Sequence, residues 1–279
     1  MDLGITIFAT DLSMDPVELA VEAEARGFAS LYVPEHTHIP ISRRTPPPTG
    51  DAVLAEEYKR TLDPYIALAA AAARTRRIRL GTGIALVAQH DPIALAKQIA
   101  TLDRLSQGRL VLGIGYGWNR EEMEDHGVDP KRRRAHVREV VLAMQALWSQ
   151  DVAGFRGEFV RFEPSWQWPK PVQRPRPPVL IGGAPGPTLF AHVAEYADGW
   201  IPIGGAGMRG ALSGLRRAVE AAGRDFAAIR IVPMGVLPTP EKLAYYRESG
   251  VTEAVLRVPS APRDAVLPVL DAYARYVGG

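Results

Sequence analysis

The sequence has 279 residues, of which 47% are hydrophobic and 23% are charged. This is the composition of an ordinary globular protein, and the length allows either one α/β barrel or two smaller domains. The formal net charge of +2 is too small to favour nucleic acid as a partner. The chain has no cysteine, which excludes disulfides, thiolate metal sites and cysteine nucleophiles.

The N-terminal residues MDLGITIFA lack a basic segment and lead directly into a strand-like run, which argues against a signal peptide. The longest apolar stretch, at 66–73, is far shorter than the roughly 18 residues that span a bilayer. We therefore expect a cytoplasmic protein without a membrane partner.

The first half of the chain alternates short apolar runs with helical patterns. Strands are predicted at 3–9, 30–34, 78–86 and 110–114, and helices at 15–26, 64–74 and from Pro92 to Gly108. Asp91 is a good N-cap for the third helix, and Gly108 stops it. The segment 39–63 contains three consecutive prolines and is predicted to be irregular. Loops of this length are usually functional or disordered.

The second half begins with an amphipathic helix at 133–148, a hairpin at 155–162 and a proline-rich extended connector at 164–178. Four strands follow at 179–181, 199–203, 229–234 and 253–258, and each precedes a helix, at 187–196, 208–222, 240–249 and 263–277. Strict alternation over this length predicts a single α/β domain, residues 1–279, with the (β/α)8 TIM-barrel fold. An open, doubly wound sheet is the alternative.

The active site of such a barrel lies at the carboxyl ends of its strands. The residues at these ends are Phe8, Ala9, Thr10, Glu35, His36, His38, Gly83, Ile84, Tyr116, Trp118, Asn119, Gly182, Gly183, Ala184, Pro202, Ile203, Gly204 and Gly205.

The sequence Glu35-His36-x-His38 allows more than one interpretation. Two histidines at a strand end can begin a metal site, but that site needs further ligands from later strands. The later strand ends offer Gly, Ile, Met and Pro, so we expect no metal. These residues are then either polar loop groups, or His36 is a hydrogen-bonding or acid–base group that faces a ligand.

Two glycine-rich turns follow predicted strands. Gly182-Gly183-Ala184 leads into a helix start, where backbone N–H groups and the helix dipole can hold a phosphate, although a simple tight turn would use the same glycines. The turn Gly113-x-Gly115-x-Gly117 lacks the GxGxxG spacing of dinucleotide-binding folds. Neither a GxSxG elbow nor a P-loop is present, so serine hydrolases and NTPases have no support.

Five segments together resemble a known family. In order they are SLYVPEH, IRLGTGIAL, PIALAKQIATLDRLSQGRLVLGIGYGWNREE, PKPVQRPRPPVLIGG and AEYADGW. They resemble the luciferase-like monooxygenase superfamily, and more narrowly its short branch of oxidoreductases that use coenzyme F420. The resemblance implies a TIM barrel with an insertion after the fourth helix, here about 151–178, and a homodimer.

The resemblance also implies roles for particular residues. Gly83-Ile84 matches a non-proline cis peptide that supports the back of the deazaflavin ring, and His36 matches the strand-two histidine, with Glu35 as its acidic neighbour. The implied catalytic residues are therefore His36 and Glu35. The turn from Gly115 through Tyr116 to Asn119 would contact the polar edge of the ring. Residues matching the phosphate contact of the cofactor tail are Gly182, Gly183 and Ala184.

The implied function is hydride transfer between F420 and a small organic substrate. The alternatives are a monooxygenase that uses reduced FMN and oxygen, and an F420-binding protein without turnover. Sugar-phosphate dehydrogenases of the family have a catalytic glutamate where this chain has Trp118, which argues against glucose 6-phosphate. Many relatives also have an arginine after strand three, where this chain has Ala88-Gln89-His90.

Overall fold

The computed structural model describes residues 1–47, 50–51, 53–205 and 207–278. Positions 48, 49 and 52 of the predicted irregular segment 39–63 lie outside the described residues.

The described part of the chain alternates strands and helices. The strands are β1 Asp2–Thr6, β2 Ser30–Val33, β3 Arg79–Thr82, β4 Leu110–Ile114, β5 Ala153–Arg156, β6 Arg161–Ser165, β7 Val179–Gly182, β8 Gly199–Ile201, β9 Arg230–Ile231, β10 Met234–Val236 and β11 Glu253–Arg257. The helices are α1 Pro16–Ala25, α2 Pro64–Arg74, α3 Pro92–Leu105, α4 Arg120–Asp125, α5 Arg133–Ser149, α6 Pro187–Tyr196, α7 Met208–Ala221, α8 Pro240–Glu248 and α9 Arg263–Ala274.

In the part of the chain that the structure describes, nine strands form one parallel sheet in the order β10-β11-β1-β2-β3-β4-β7-β8-β9. Its two edge strands, β9 and β10, are separated in the chain only by Val232 and Pro233. The Val232 amide donates to the Trp200 carbonyl at 3.0 Å, and the Val255 amide donates to the Pro233 carbonyl at 2.9 Å. The sheet therefore curls until its edges share one stretch of chain, unlike the open-sheet alternative.

The predicted strand at 229–234 is observed as two short strands. Pro233 lies between them and has no N–H group to donate, so the regular ladder is interrupted there. The remaining strands of the curled sheet lie close to their predicted positions, and β4 has the predicted bounds.

Three helices begin with the same dipeptide. Asp15, Asp63 and Asp91 are the N-caps of α1, α2 and α3, and each is followed by proline at the first helical position. Each aspartate side chain accepts a hydrogen bond from an amide in the first turn. This combination satisfies amides that have no partner within the helix, and it fixes where the helix begins.

The inside of the curled sheet is a small apolar core with Ile84 packed against it. Gly81 makes room for the large Tyr32 ring, because a Cβ at this glycine would lie 2.3 Å from that ring. Residues of this inner core are Tyr32, Val111, Leu180, Ile201, Val232, Met234 and Val255. A larger apolar layer lies between the sheet and the helices around it.

The amino ends of several strands meet at one buried carboxylate. Glu253, which is 1% exposed, accepts hydrogen bonds from the Ser30 hydroxyl and, at 2.9 Å, from Arg230 Nη2. Arg79 Nη2 lies 3.1 Å from the same carboxylate, and the Tyr32 hydroxyl lies 3.5 Å away. This network joins β11, β9, β2 and β3 at the end of the sheet opposite the predicted site.

The segment between α5 and β7 contains the predicted hairpin and connector. Strands β5 and β6 pair antiparallel, with Phe155 opposite Phe162, which confirms the predicted hairpin. The buried Asp103 of α3 holds the connector, because its carboxylate accepts from the Val172 amide at 2.7 Å and from the Gln173 amide at 3.0 Å. The Gln173 side chain also donates to Asp103, at 2.6 Å.

Candidate functional site

The peptide bond between Gly83 and Ile84, just after β3, is cis, as the family resemblance predicted. The Ile84 side chain rests on the inner core between two glycines. A Cβ at Gly115 would lie 1.8 Å from Ile84 Cδ1, and one at Gly182 would lie 2.8 Å from Ile84 Cγ2. Only glycine leaves this space. Ile84 therefore forms an apolar ledge at the carboxyl end of the sheet.

Glu35 holds the loop behind this ledge. Its buried carboxylate accepts from the Leu86 amide at 2.6 Å and lies 2.7 Å from His90 Nε2. The Glu35 amide donates to the Ile84 carbonyl at 3.1 Å. The predicted catalytic residue Glu35 thus faces the loop after β3.

His36 faces a different element, the short helix α4. Its Nδ1 lies 2.8 Å from Glu122 Oε2, and its Nε2 accepts a hydrogen bond from the Trp118 indole at 3.3 Å. The His36 side chain is 7% exposed and that of Glu122 is 1% exposed. Glu122 was missed by sequence reasoning as a site residue; its only signal was the acidic helix start Glu121-Glu122.

Aromatic side chains surround His36. The Tyr58 ring lies 5.6 Å from the His36 ring, 5.8 Å from the Trp118 ring and 4.8 Å from the Phe8 ring. Tyr58 belongs to the long segment 39–63 and had no periodic pattern to reveal its position. The structure thus adds a partly exposed aromatic wall to the predicted site.

The same long segment is tied to α4 through Glu121. The Glu121 carboxylate accepts from the Arg44 amide at 2.7 Å and from the Thr45 hydroxyl at 2.6 Å. The hydrogen bond from Thr45 is the main cause that lowers the pKa of Glu121 to about 2. The Thr61 hydroxyl also donates to the His36 carbonyl at 2.9 Å. The long segment therefore folds against the site.

The turn after β4 carries two of the predicted contact residues. The Tyr116 hydroxyl lies 2.9 Å from His192 Nδ1, and burial raises the pKa of Tyr116 to about 12. Asn119 is 1% exposed, and neither atom of its side-chain amide has a partner within the described ranges. The Gln89 amide is likewise buried without a partner there. Buried polar groups of this kind usually have a hydrogen-bond partner, which a water molecule, an ion or a ligand can supply.

The turn after β7 opens into a cavity. The Gly183 amide donates to the Ile201 carbonyl at 3.3 Å, so it belongs to the sheet. The Ala184 amide has no hydrogen-bond partner in the part of the chain described. The cavity has a volume of about 310 Å³ and is lined by Gly183, Ala184, Pro185, Ile203 and Gly207. The predicted phosphate position thus coincides with an open space in front of α6.

The described residues contain no group of three or more His, Asp or Glu side chains arranged to hold a metal ion. His38, the second histidine of the possible metal motif, lies 3.0 Å from Asp125 at the surface. No described helix has both the length and the apolar character required to cross a membrane.

A curled parallel sheet with helices around it defines a barrel-like fold of the α/β class. Residues 14–251 match the family described as luciferase-like monooxygenase, and the chain belongs to this family.

Two relatives show how the similarity is distributed. An uncharacterized protein of Mycobacterium tuberculosis is 49% identical over 267 residues, which cover 95% of this chain and 94% of that protein. The F420-dependent glucose-6-phosphate dehydrogenase of Kineococcus radiotolerans is 31% identical over 221 residues, which cover 74% of this chain and 58% of that protein.

Two solved structures have a similar fold at low sequence identity. An F420-dependent secondary alcohol dehydrogenase in complex with an F420-acetone adduct aligns with a TM-score of 0.79 at 18% identity, covering 99% of this chain and 98% of that one. Monooxygenase RslO1 from Streptomyces bottropensis aligns with a TM-score of 0.77 at 24% identity, with the same coverage. These likenesses concern the fold alone.

Proposed function

We propose that this protein is an F420-dependent oxidoreductase that transfers hydride between a deazaflavin and a small organic substrate. The observation that carries the proposal is the position of the Ile84 side chain, which is seated between Gly115 and Gly182 and forms an apolar ledge at the carboxyl end of the sheet. A flat tricyclic ring needs such an apolar support on one face. The match to an F420-dependent relative at 31% identity supports the choice of cofactor.

The chemistry of the surrounding residues fits the same cofactor. The unpaired Asn119 amide offers a donor and an acceptor to the polar edge of a ring, and the unpaired Ala184 amide borders a cavity that suits a phosphate. The residues proposed to bind the cofactor are Gly83, Ile84, Gly115, Tyr116, Asn119, Gly182, Gly183 and Ala184.

The proposed scaffold is a single TIM-barrel domain. If β9 and β10 are two parts of one strand, the sheet has the eight strands of a (β/α)8 barrel. The segment 151–178, which contains β5 and β6, then becomes an insertion after the fourth barrel helix, α5.

His36 is the proposed catalytic residue, and Glu35, also predicted as catalytic, is proposed to be a positioning residue. A bound deazaflavin supplies a ring carbon that accepts or releases hydride. Once a substrate hydroxyl replaces the hydrogen bond from Trp118, His36 Nε2 would take the hydroxyl proton during oxidation and return it during reduction. Glu35 would contribute by fixing the loop that carries Ile84, since its carboxylate binds the Leu86 amide.

The substrate is proposed to be a small organic molecule other than glucose 6-phosphate. Trp118 provides an aromatic ring in place of a carboxylate beside His36. On the nearby long segment, Lys59 lies 2.7 Å from Glu56 and Arg60 lies 2.8 Å from Asp11, whereas the Arg43 guanidinium lies 5.8 Å from the centre of the Trp118 ring. The exclusion of glucose 6-phosphate therefore rests on Trp118.

Titration of the purified protein with F420 and with FMN, followed by absorbance and fluorescence, tests the proposal. We expect F420 to bind and FMN to bind much more weakly. Gly115→Ala should weaken F420 binding, because the new Cβ displaces Ile84, whereas Gly210→Ala should not, since nothing lies within 4 Å of its Cβ position. Tight FMN binding without F420 binding would overturn the proposal. A screen of carbonyl compounds with reduced F420 would then identify the substrate.

The alternative function is a monooxygenase that uses reduced FMN and oxygen. The ledge at Ile84 favours this alternative as well, because the isoalloxazine ring of FMN is also flat and tricyclic. Oxygen consumption with reduced FMN would support it. The third possibility, an F420-binding protein without turnover, predicts that Glu35, His36 and Asn119 can each be replaced without effect on any F420-linked reduction.

A further inference from the structure

The hydrogen bonds of His36 define one protonation state of its ring. The Trp118 indole N–H can only donate, so the Nε2 atom that it contacts must carry a lone pair. A neutral imidazole with a lone pair on Nε2 carries its proton on Nδ1. Nδ1 then donates to Glu122 Oε2 at 2.8 Å. The two contacts therefore match the tautomer of His36 that has its proton on Nδ1.

Helix α4 lacks a side-chain capping bond at its first turn. Asn119 is its N-cap residue but makes no capping bond with its side chain. Glu122 is at the third helical position, where a glutamate ordinarily reaches back to the amide of the N-cap residue. Its carboxylate contacts His36 instead, and its second oxygen, Oε1, has no partner in the described chain. Departures from the preferred capping pattern of a helix occur mainly at functional sites.

We propose that Glu122 is the positioning residue that sets the tautomer of His36, with the proton on Nδ1 and the lone pair of Nε2 on the side of Trp118. Imidazole in water prefers the other neutral tautomer, with its proton on Nε2, so the choice requires a partner at Nδ1. Glu122 is that partner.

The catalytic consequence rests on the proposed function. In oxidation of an alcohol, the carbon–hydrogen bond would break and a bound deazaflavin would accept the hydride. The hydroxyl proton would move to His36 Nε2 once the substrate replaces the hydrogen bond from Trp118. The charge that develops on the His36 ring lies next to the Glu122 carboxylate, 2.8 Å from Nδ1. Reduction of a carbonyl reverses each transfer. Removal of the carboxylate should therefore lower kcat, with less effect on KM.

Nitrogen NMR of the full-length protein with ¹⁵N-labelled histidine tests the tautomer without any cofactor. The His36 signals, assigned by their loss in His36→Gln, should show a protonated Nδ1 and an unprotonated Nε2 near pH 8. Glu122→Ala should shift the ring toward the Nε2–H form, and Trp118→Phe should leave the Nδ1–H form in place. A wild-type ring with its proton on Nε2, or an unchanged tautomer in Glu122→Ala, overturns the inference.

Glu122→Gln is the second variant to be measured, and it replaces Glu122→Ala if the alanine variant fails to fold. Its amide oxygen can still accept from Nδ1, so the tautomer should persist while kcat falls by at least about tenfold. Full activity in Glu122→Gln would overturn the catalytic consequence. The matched control is Glu124→Gln, which replaces an exposed glutamate on the same helix. It should change neither the tautomer of His36 nor kcat. Failure of F420 binding would overturn the proposed function and leave the NMR result intact.

Discussion

Glu35 and His36 are neighbours in sequence, but their side chains contact different elements. Glu35 reaches the loop after β3, whereas His36 reaches α4. The sequence predicted both residues as site candidates because they follow a strand. It could not predict their partners, His90 and Glu122, because each lies on an element that only the folded sheet brings near.

The pair Glu35–His90 gives a prediction about pH. Burial of the ring lowers the pKa of His90, but the hydrogen bond and charge of Glu35 outweigh burial and leave this pKa raised above 6.5. Protonation of His90 is therefore more favourable in the folded state. The resulting stability is fully present below about pH 6.5 and is lost as the pH rises through the raised pKa.

We expect the stability advantage of the wild type over His90→Gln to be larger near pH 6 than near pH 9. Urea unfolding of both proteins at the two pH values measures the difference. In a Glu35→Gln background, which lacks the carboxylate, most of the pH dependence should disappear. A difference that is independent of pH would contradict this explanation.

Among the elements, those with a local signal were predicted well. The Asp-Pro starts of α1, α2 and α3 are visible in the sequence, and so is the alternating pattern of the hairpin at 155–162. The long segment 39–63 has no such pattern. Its contacts through Tyr58 and Thr45 depend on Trp118 and Glu121, which are distant in sequence, so its packing against the site could not be predicted.

The connector at 164–178 provides a prediction at the element scale. Asp103→Ala removes the acceptor for the Val172 and Gln173 amides and leaves these donors without their charged partner. The free energy of unfolding should fall by at least about 2 kcal/mol, because unsatisfied buried polar groups cost about 1–3 kcal/mol each. Urea unfolding measures the change.

The matched control for Asp103 is Glu163→Ala. Glu163 is an exposed carboxylate on β6 that pairs with Arg156 at 3.2 Å. Its removal should change stability by less than about 1 kcal/mol, as is typical of surface ion pairs. Equal effects of the two substitutions would show that Asp103 does not hold the connector.

For the whole molecule, the alternation of strands and helices predicted a parallel α/β fold with its site at the carboxyl ends of the strands. The cis peptide was predicted from the family resemblance rather than from local chemistry. The break of one predicted strand at Pro233 was missed, although proline is a visible signal in the sequence. The network around Glu253 was also missed, because it joins four strands that are far apart in the chain.

This network gives a prediction at the scale of the whole fold. Glu253→Ala leaves the Arg79 and Arg230 side chains without their shared, 1% exposed carboxylate. Breaking a buried pair by removing one partner costs about 3–5 kcal/mol, so we expect a loss of this size in urea unfolding. Asp2→Ala removes a half-exposed partner of Arg79 and should have an effect below about 1 kcal/mol. A small effect of Glu253→Ala would contradict a structural role for the network.

The pairing of β1 with β11 also has a consequence for synthesis on the ribosome. Asp2 pairs with Glu253, so one neighbour of the first strand is produced only after most of the chain. Proteins are made from the N-terminus, and contacts between distant segments form late. Until β11 emerges, β1 presents one edge with unpaired backbone groups, and such an edge can pair with another nascent chain. Chaperone binding to this nascent chain should therefore persist until β11 has left the ribosome.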